Sequence, residues 1–366
     1  MQECISGSAG PGAVLRPIKK KRRDVALKEM MDAIVKSTAG PGLELQQVPV
    51  PKPGPGEVLI KIHKTAICGT DVHIYNWDPW AQQHIKPPMT IGHEYVGEIA
   101  ELGAGVTGLT VGQRVSGEGH ITCGHCRNCH TGNIQWCKNT TSVGVDRDGA
   151  FAEYVTAEAK RVFRVEDDIP DRAAILTEPL AVGFHACMRA EVTPGDDVLV
   201  IGGGPIGIMC AVAARYFGAA RVVVAEVNES RLALLQSFGF QTINSGKEDL
   251  CEAVAAMTDG YGFDKVLEAS GSKPGAQALA TVTKIRGCAV MVGIPSVARE
   301  YQTNKMVLKE VELRGSRVHS LKDFARTVDM LHKLYRSHGF DFEKMISAEF
   351  PLEQLDEALR LQGSGS

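Results

Sequence analysis

No stretch of this chain combines length with unbroken apolarity. The longest apolar run, Val198 to Ala214, is interrupted by four glycines and a proline, which spoils a membrane span and suits a strand, a turn and a helix. A charge surplus is lacking too. Forty Lys and Arg against 43 Asp and Glu leave a net charge of −3, without the basic bias that phosphate backbones select. Residues 1–30 have no apolar secretory core, and no repeat with a period of about 20–50 residues is visible. These absences predict a cytoplasmic protein acting on small molecules, with no nucleic-acid or membrane partner.

Cysteine is plentiful, at ten residues. In a long chain without a secretory segment, that number points to metal binding or catalysis rather than a disulfide framework. Cys123, Cys126, Cys129 and Cys137 follow one another with spacings of two, two and seven residues. Four soft ligands in a short lobe can close a tetrahedral zinc shell with no open position, which makes the site structural; an iron–sulfur cluster is the competing metal. A second set, Cys68, His93 and Glu94, mixes sulfur, nitrogen and oxygen. Three such ligands leave a position free for water or an alcohol, as a catalytic zinc requires. Taken singly, Cys68 reads equally as a small buried hydrophobe and His93 as a satisfied loop histidine.

A length of 366 residues predicts two domains. Residues 1–30 read as a flexible extension whose basic run, Lys19 to Arg23, suits a solvated tail, a nuclear address or an anionic-surface patch. Short β-rich runs punctuated by Gly and Pro predict a mostly-β domain over residues 31–180. Over 181–340, candidate strands at Val198–Ile201, Arg221–Glu226, Gln241–Asn244, Asp264–Glu268, Cys288–Val292 and Val311–Leu313 alternate with helical patterns. That alternation predicts an α/β fold with a parallel, doubly wound sheet. Residues 341–366, with Leu352, Leu355 and Leu359 at helical spacing, are expected to return to the first domain. The Gly/Ser ending, Gly363 to Ser366, reads as a boundary, a truncation or an appended scar.

Gly202, Gly204 and Gly207 form a GxGxxG pattern directly after the first of those strands. Gly202 would permit the tight turn, Gly204 the approach of a pyrophosphate to the backbone, and Gly207 close packing of helix on strand. Glu226 ends the next strand, where an acidic side chain accepts hydrogen bonds from the adenosine ribose and repels a 2′-phosphate. NAD is therefore expected over NADP. The alternative is a packing turn with Glu226 at the surface.

Gly92, His93 and Glu94, the four-cysteine lobe and the glycine pattern, in this order, resemble the zinc-containing medium-chain dehydrogenases across about residues 31–360. The resemblance implies a GroES-like catalytic domain joined to a Rossmann domain, two zinc ions per chain, NAD, an alcohol substrate and a homotetramer. By it, Cys68, His93 and Glu94 hold the catalytic zinc, Cys123, Cys126, Cys129 and Cys137 the structural one, and Thr70 and His73 carry the alcohol proton outward. It brings Glu178 toward the metal and His120 to the substrate pocket. Ile206, Glu226, Arg231, Val292, Gly293, Ile294, Ser316 and Arg317 match cofactor-contacting positions. Within the family, residues 65–78 and 117–129 resemble the L-threonine 3-dehydrogenases, whereas 178–187 resemble sorbitol and other polyol dehydrogenases. Oxidation of a secondary alcohol, most simply threonine, is the activity implied. The resemblance also leaves the chain without the family's final strand. A different class, a non-catalytic nucleotide-binding relative recruiting an acidic partner through the basic tail, is the remaining alternative.

Overall fold

The computed structural model describes residues 28–295, 297–337 and 340–363. The basic run Lys19 to Arg23 and residues 364–366 lie outside them.

The first half of the chain is built on an antiparallel five-stranded sheet. Its order is Val162–Arg164, Arg114–Gly117, Glu94–Leu102, Glu57–Ala66 and Tyr154–Glu158. A smaller sheet pairs Met30–Lys36 with Glu44–Pro49 and Met89–Thr90. The strand Glu57–Ala66 is paired on both sides, and its alternate residues feed two cores. Val58 and Ile60 pack with Tyr95, Ile99 and Val115, while Leu59 packs on the opposite face with Met31, Ala33 and Val35. Each fully buried Leu or Ile of this kind contributes about 1.5–3 kcal/mol. Its pairing with Glu94–Leu102 shifts register between Ile62 and Lys64. Such an irregularity re-aims a strand end, and this end leads to Cys68.

The second half forms a six-stranded, wholly parallel sheet. Across it run Gln241–Asn244, Arg221–Glu226, Asp197–Ile201, Phe263–Glu268, Thr283–Met291 and Glu312–Gly315. The central strands are almost continuously apolar because both faces are covered. Val198 and Val200 face the core shared with helices Thr177–Ala190, Pro205–Tyr216 and Leu321–Ser337. Leu199 and Ile201 face the core shared with Leu250–Met257 and Lys273–Val282. Helices start at side-chain caps: Asn228 accepts from the Arg231 amide, Asp249 from Glu252 and Ser272 from Gly275. All six expected strands are present. The fifth begins earlier, at Thr283. The sixth extends to Gly315 because Arg314 and Gly315 pair with Val290 and Met291.

Strand order reverses between Asp197–Ile201 and Phe263–Glu268, which opens a crevice at their carboxyl ends. Helix Thr177–Ala190 runs through residue 180 and packs on the parallel sheet. Its first turn therefore carries Glu178 to the seam between the two halves. The last helix, Leu355–Gly363, packs Leu355, Ala358 and Leu359 against Ile34, Ile74, Ile91 and Phe151 of the first half. Among the described residues, no helix is long and apolar enough to cross a membrane.

Candidate active site

Cys68, at the amino end of helix Gly69–Asn76, meets His93 and Glu94, at the start of strand Glu94–Leu102. Their ligand atoms all lie within 4.8 Å of one another. Gly92 makes that approach possible. Its φ is +91°, and a Cβ there would stand 2.3 Å from the Phe151 ring. Behind the cluster, Asp71 is buried and accepts from the Cys68 amide at 2.9 Å.

The electrostatics of this cluster ask for a cation. Burial, then the charges of Asp71 and Glu178, push the Cys68 thiol up to about 12. Burial, followed by Cys68 and Glu178, drives Glu94 well above the carboxylate range. Asp71 is raised by burial against the opposing pull of His93. Asp71 Oδ1 and His93 Nδ1, 3.9 Å apart, are both buried without a hydrogen-bond partner. A carboxylate behind a ligating imidazole is how zinc sites orient their histidines. The donor set, its convergence and these two orphaned atoms fit zinc.

Thr70 Oγ1 lies 3.7 Å from Cys68 Sγ. His73, three residues further along the same helix, is exposed, and its Nδ1 sits 2.5 Å from Asp78 Oδ2. Glu178 meets His319, whose Nε2 is 3.2 Å from Glu178 Oε1. Although burial raises the Glu178 carboxyl, that bond and the charges of His319, His93 and His120 outweigh it and bring it down to about 2. His120 lies edge-on to His319 at 5.4 Å between ring centres and holds Glu118 Oε1 through Nδ1 at 2.7 Å. Glu118 also pairs with the buried Arg161. Ligand atoms of Glu118, His120 and His319 again converge within 4.8 Å.

Asp71, Glu118 and His319 were missed by sequence reasoning. Asp71 had a local signal, an acidic residue three positions after the helix-capping Cys68. His319 had none, because its partner Glu178 is 141 residues away.

The four lobe cysteines are unpaired by disulfides; four of their six sulfur–sulfur distances are 3.4–4.0 Å, and all six lie within 4.8 Å. Four sulfurs about 2.3 Å from a central zinc stand about 3.8 Å apart in a tetrahedron, so the spacing fits. The amides of Cys123 and Asn139 both point to Cys137 Sγ at 3.3 Å. Amides of Cys129 and Lys138 help hold the Cys126 thiol down to about 6.

In the crevice of the parallel sheet, the glycines behave as their spacing implies. Gly202 has φ +99°, a Cβ on Gly204 would meet only Arg231 Nη1 at 3.9 Å, and a Cβ on Gly207 would stand 1.8 Å from the Gly202 carbonyl oxygen. Helix Pro205–Tyr216 presents its amino end here, and Ile206 lies in its first turn. Glu226 is buried rather than exposed. Its Oε2 accepts from Gly203 N at 2.7 Å, its Oε1 from Val227 N and Asn228 N at 2.7 and 2.9 Å, and Arg231 approaches within 3.9 Å. The amides of Val292 and Gly293 are tied to the Glu268 carbonyl at 2.8 Å, and Ile294 is exposed. Ser316 holds the Met291 carbonyl through its amide. Arg317 is placed differently, its guanidinium lying 5.4 Å from the Trp136 ring centre in the cysteine lobe.

A family profile described as "Alcohol dehydrogenase GroES-like domain" matches residues 54–167, and one described as "Zinc-binding dehydrogenase" matches 205–333. Site and fold thus define a class of two-domain oxidoreductase, and the chain belongs to the zinc-binding, medium-chain alcohol dehydrogenase family. Within it, the chain is 46% identical to an L-threonine 3-dehydrogenase of Mesorhizobium japonicum over 79% of its length and 84% of the relative's. It is 40% identical to the L-threonine 3-dehydrogenase of Proteus mirabilis over 92% and 97%. A zinc-binding dehydrogenase from Sinorhizobium meliloti 1021 bound to NADP superposes with a TM-score of 0.84 at 27% identity, covering 91% of this chain and 96% of that one.

Proposed function

We propose that the chain oxidises the secondary alcohol of L-threonine to L-2-amino-3-oxobutanoate while reducing NAD. The observation that carries the chemistry is the convergence of Cys68, His93 and Glu94 next to Glu178 at the seam. The choice of threonine is supported by 40–46% identity to the L-threonine 3-dehydrogenases over most of both chains. When bound, zinc at Cys68, His93 and Glu94 would act as a Lewis acid that acidifies an alcohol, and NAD would accept hydride. A second zinc at the four lobe cysteines would have no open position and would serve structure alone.

The chain's own groups supply the rest. Thr70, beside Cys68, and His73, one turn further and exposed to solvent, are placed to pass the hydroxyl proton outward. Asp78 would hold the His73 ring in orientation. Glu118, His120 and His319 offer both acceptors and donors, which suits an alcohol flanked by an ammonium and a carboxylate. Glu226, its side chain held in place by three amides, disfavours a 2′-phosphate and so favours NAD. Ile206, Val292, Gly293, Ile294 and Ser316 line the same carboxyl edge of the sheet and complete the cofactor assignment. The resemblance of residues 178–187 to polyol dehydrogenases favours a sugar alcohol as the second reading. We extend the proposal to a cytoplasmic homotetramer, which light scattering of the purified protein tests.

The deciding experiment follows NADH formation by zinc-replete enzyme with L-threonine, sorbitol, threitol and butane-2,3-diol. Threonine should give the highest kcat/KM. Turnover of a polyol without threonine activity overturns the substrate. Full NAD binding with no turnover of any alcohol overturns the enzyme.

A further inference from the structure

Two histidines each have one ring nitrogen committed to a carboxylate and the other without a partner among the described residues. His120 Nδ1 meets Glu118 Oε1 at 2.7 Å, and His319 Nε2 meets Glu178 Oε1 at 3.2 Å. An ionised carboxylate only accepts, so in the neutral rings these nitrogens carry the hydrogens. The lone pairs then sit on His120 Nε2 and His319 Nδ1. His319 Nδ1 is buried with no hydrogen-bond partner, in a side chain with no exposed surface. A buried polar atom left so is rare and asks for an explanation, an ion among them. One nitrogen of each ring and one Glu118 oxygen lie within 4.8 Å of one another. Glu118 has the capacity to join them. Its Oε1 accepts from the His120 amide and ring at 2.8 and 2.7 Å, whereas Oε2 pairs with Arg161 and keeps an acceptor position.

The backbone around these groups is held firmly. Val318, directly before His319, takes φ +46°. A β-branched residue in the left-handed region costs about 1–3 kcal/mol, persists only where its surroundings over-determine it, and collects at ligand sites. Just after His319, Ser320 donates to Asp323 Oδ2 through its amide and hydroxyl at 3.0 and 2.7 Å, and the same oxygen meets His185 Nδ1 at 2.8 Å. On the other side, Arg161 is fixed beside Glu118 by Glu158 and Thr122 at 2.8 and 2.7 Å. Glu118 and His319 are buried, while His120 is only half-buried and leaves an entrance.

We propose that Glu118, His120 and His319 form a third metal site, for a borderline-soft divalent cation such as zinc, sharing no ligand with the two zinc sites already assigned. Two imidazoles and one carboxylate are a set zinc takes when a further position is left to water. Glu118 behind His120 and Glu178 behind His319 are carboxylates of the kind that orient ligating histidines. Burial lowers the His319 imidazole, but the Glu178 bond and the charges of Glu178, Glu118 and Asp323 raise it overall, so the incoming ion displaces a proton from Nδ1. That proton and the guanidinium of Arg161 oppose the ion, so the site loads only when metal is in excess. The same three residues are the pocket assigned to the alcohol, and an occupied site would shut the enzyme down at high metal. That consequence alone rests on the dehydrogenase reading.

The binding test contains no alcohol. Enzyme already holding its two zinc ions is titrated with zinc chloride in a calorimeter, and its metal content is measured after dialysis at the same free zinc. The parent should take up a third ion per chain. His120→Ala and His319→Gln should each weaken that step by more than the about 10- to 100-fold that losing a group behind a metal site costs. His84→Ala, which removes an exposed histidine elsewhere, should leave it unchanged. No third ion in the parent overturns the site. So does a third ion kept at parental affinity by either ligand variant, or one lost from His84→Ala. Should His319→Gln fail to fold, the half-buried His120→Ala decides alone. Initial rates are then read at rising zinc. The apparent KM for the alcohol should climb in the parent at constant kcat and stay independent of zinc in His120→Ala. A third ion bound at constant KM overturns the shut-down, and the metal count still decides the site if no alcohol is turned over.

Discussion

Replacing Glu226 tests the cofactor assignment more sharply than the sequence pattern alone allowed. A carboxylate offers about four acceptor positions, and three are occupied by the amides of Gly203, Val227 and Asn228. Oε1 carries two of these bonds and Oε2 one, so a single position on Oε2 remains for a ribose hydroxyl. Binding both hydroxyls would require an amide to be released. One charge-assisted hydrogen bond contributes about 1.5–3 kcal/mol, which corresponds to a loss of about 10- to 150-fold in kcat/KM for NAD when Glu226→Gly removes it. NADP should lose less or gain, because the like charge goes too and Arg231 lies within 3.9 Å of the Oε2 position. Stability should also fall, since the glycine-turn amide of Gly203 loses its acceptor in a buried setting. The assay is initial rates with each cofactor at saturating alcohol, alongside thermal melts. An unchanged NAD-to-NADP ratio of kcat/KM would refute the reasoning, whatever happened to the melting temperature.

Other expectations follow from single contacts. Gly207→Ala places a methyl 1.8 Å from the Gly202 carbonyl oxygen; neither backbone can yield cheaply, so a loss of about 3 kcal/mol or more in denaturant melts is expected, with weakened NAD binding in titrations. Arg161→Met strips the buried Glu118 of its guanidinium partner and should cost about 3–5 kcal/mol; a melt within 1 °C of the parent would contradict it. Cys126→Ser or Cys137→Ser should lower the zinc content from two ions per chain to one by elemental analysis, while NAD titration stays parental. Asp323 is held down to about 2 because hydrogen bonds from His185 and Ser320 outweigh burial. A depressed carboxylate stabilises above its unfolded value and loses that contribution as pH falls through its folded value, so stability should decline between about pH 4 and 2, less steeply in Asp323→Asn. Parallel pH profiles for the two proteins would count against it.

What could be read from the sequence was what local backbone geometry dictates. Gly202, Gly204 and Gly207 are legible because a strand, a turn and a helix within ten residues leave few alternatives, and the close contact of Gly207 with Gly202 is a five-residue matter. The four cysteines converge for the same reason, within one short lobe. The central parallel strands showed themselves because burial on both faces makes each a short apolar run, whereas the edge strands Gln241–Asn244 and Glu312–Gly315 are polar and showed themselves only through the alternation with helices. Cys68 and His93 are 25 positions apart and became a pair only in company, through Gly92 and the order of motifs. Arg317 matched a cofactor position, yet it stacks toward Trp136, a contact no local pattern encodes.

His319 marks where that kind of reading stops. Its contact with Glu178 depends on a helix and a loop 141 residues apart in sequence being laid side by side by the parallel sheet. Neither the imidazole nor the carboxylate has a distinguishing neighbour in sequence, and the left-handed Val318 before it is a residue type that argues against such a conformation. The helix carrying Glu178 is packed on the cofactor half, while the cluster it faces belongs to the catalytic half. The Glu178 carboxylate is therefore held by the half that does not supply the ligands, whereas Asp71, behind the cluster, comes from the half that does.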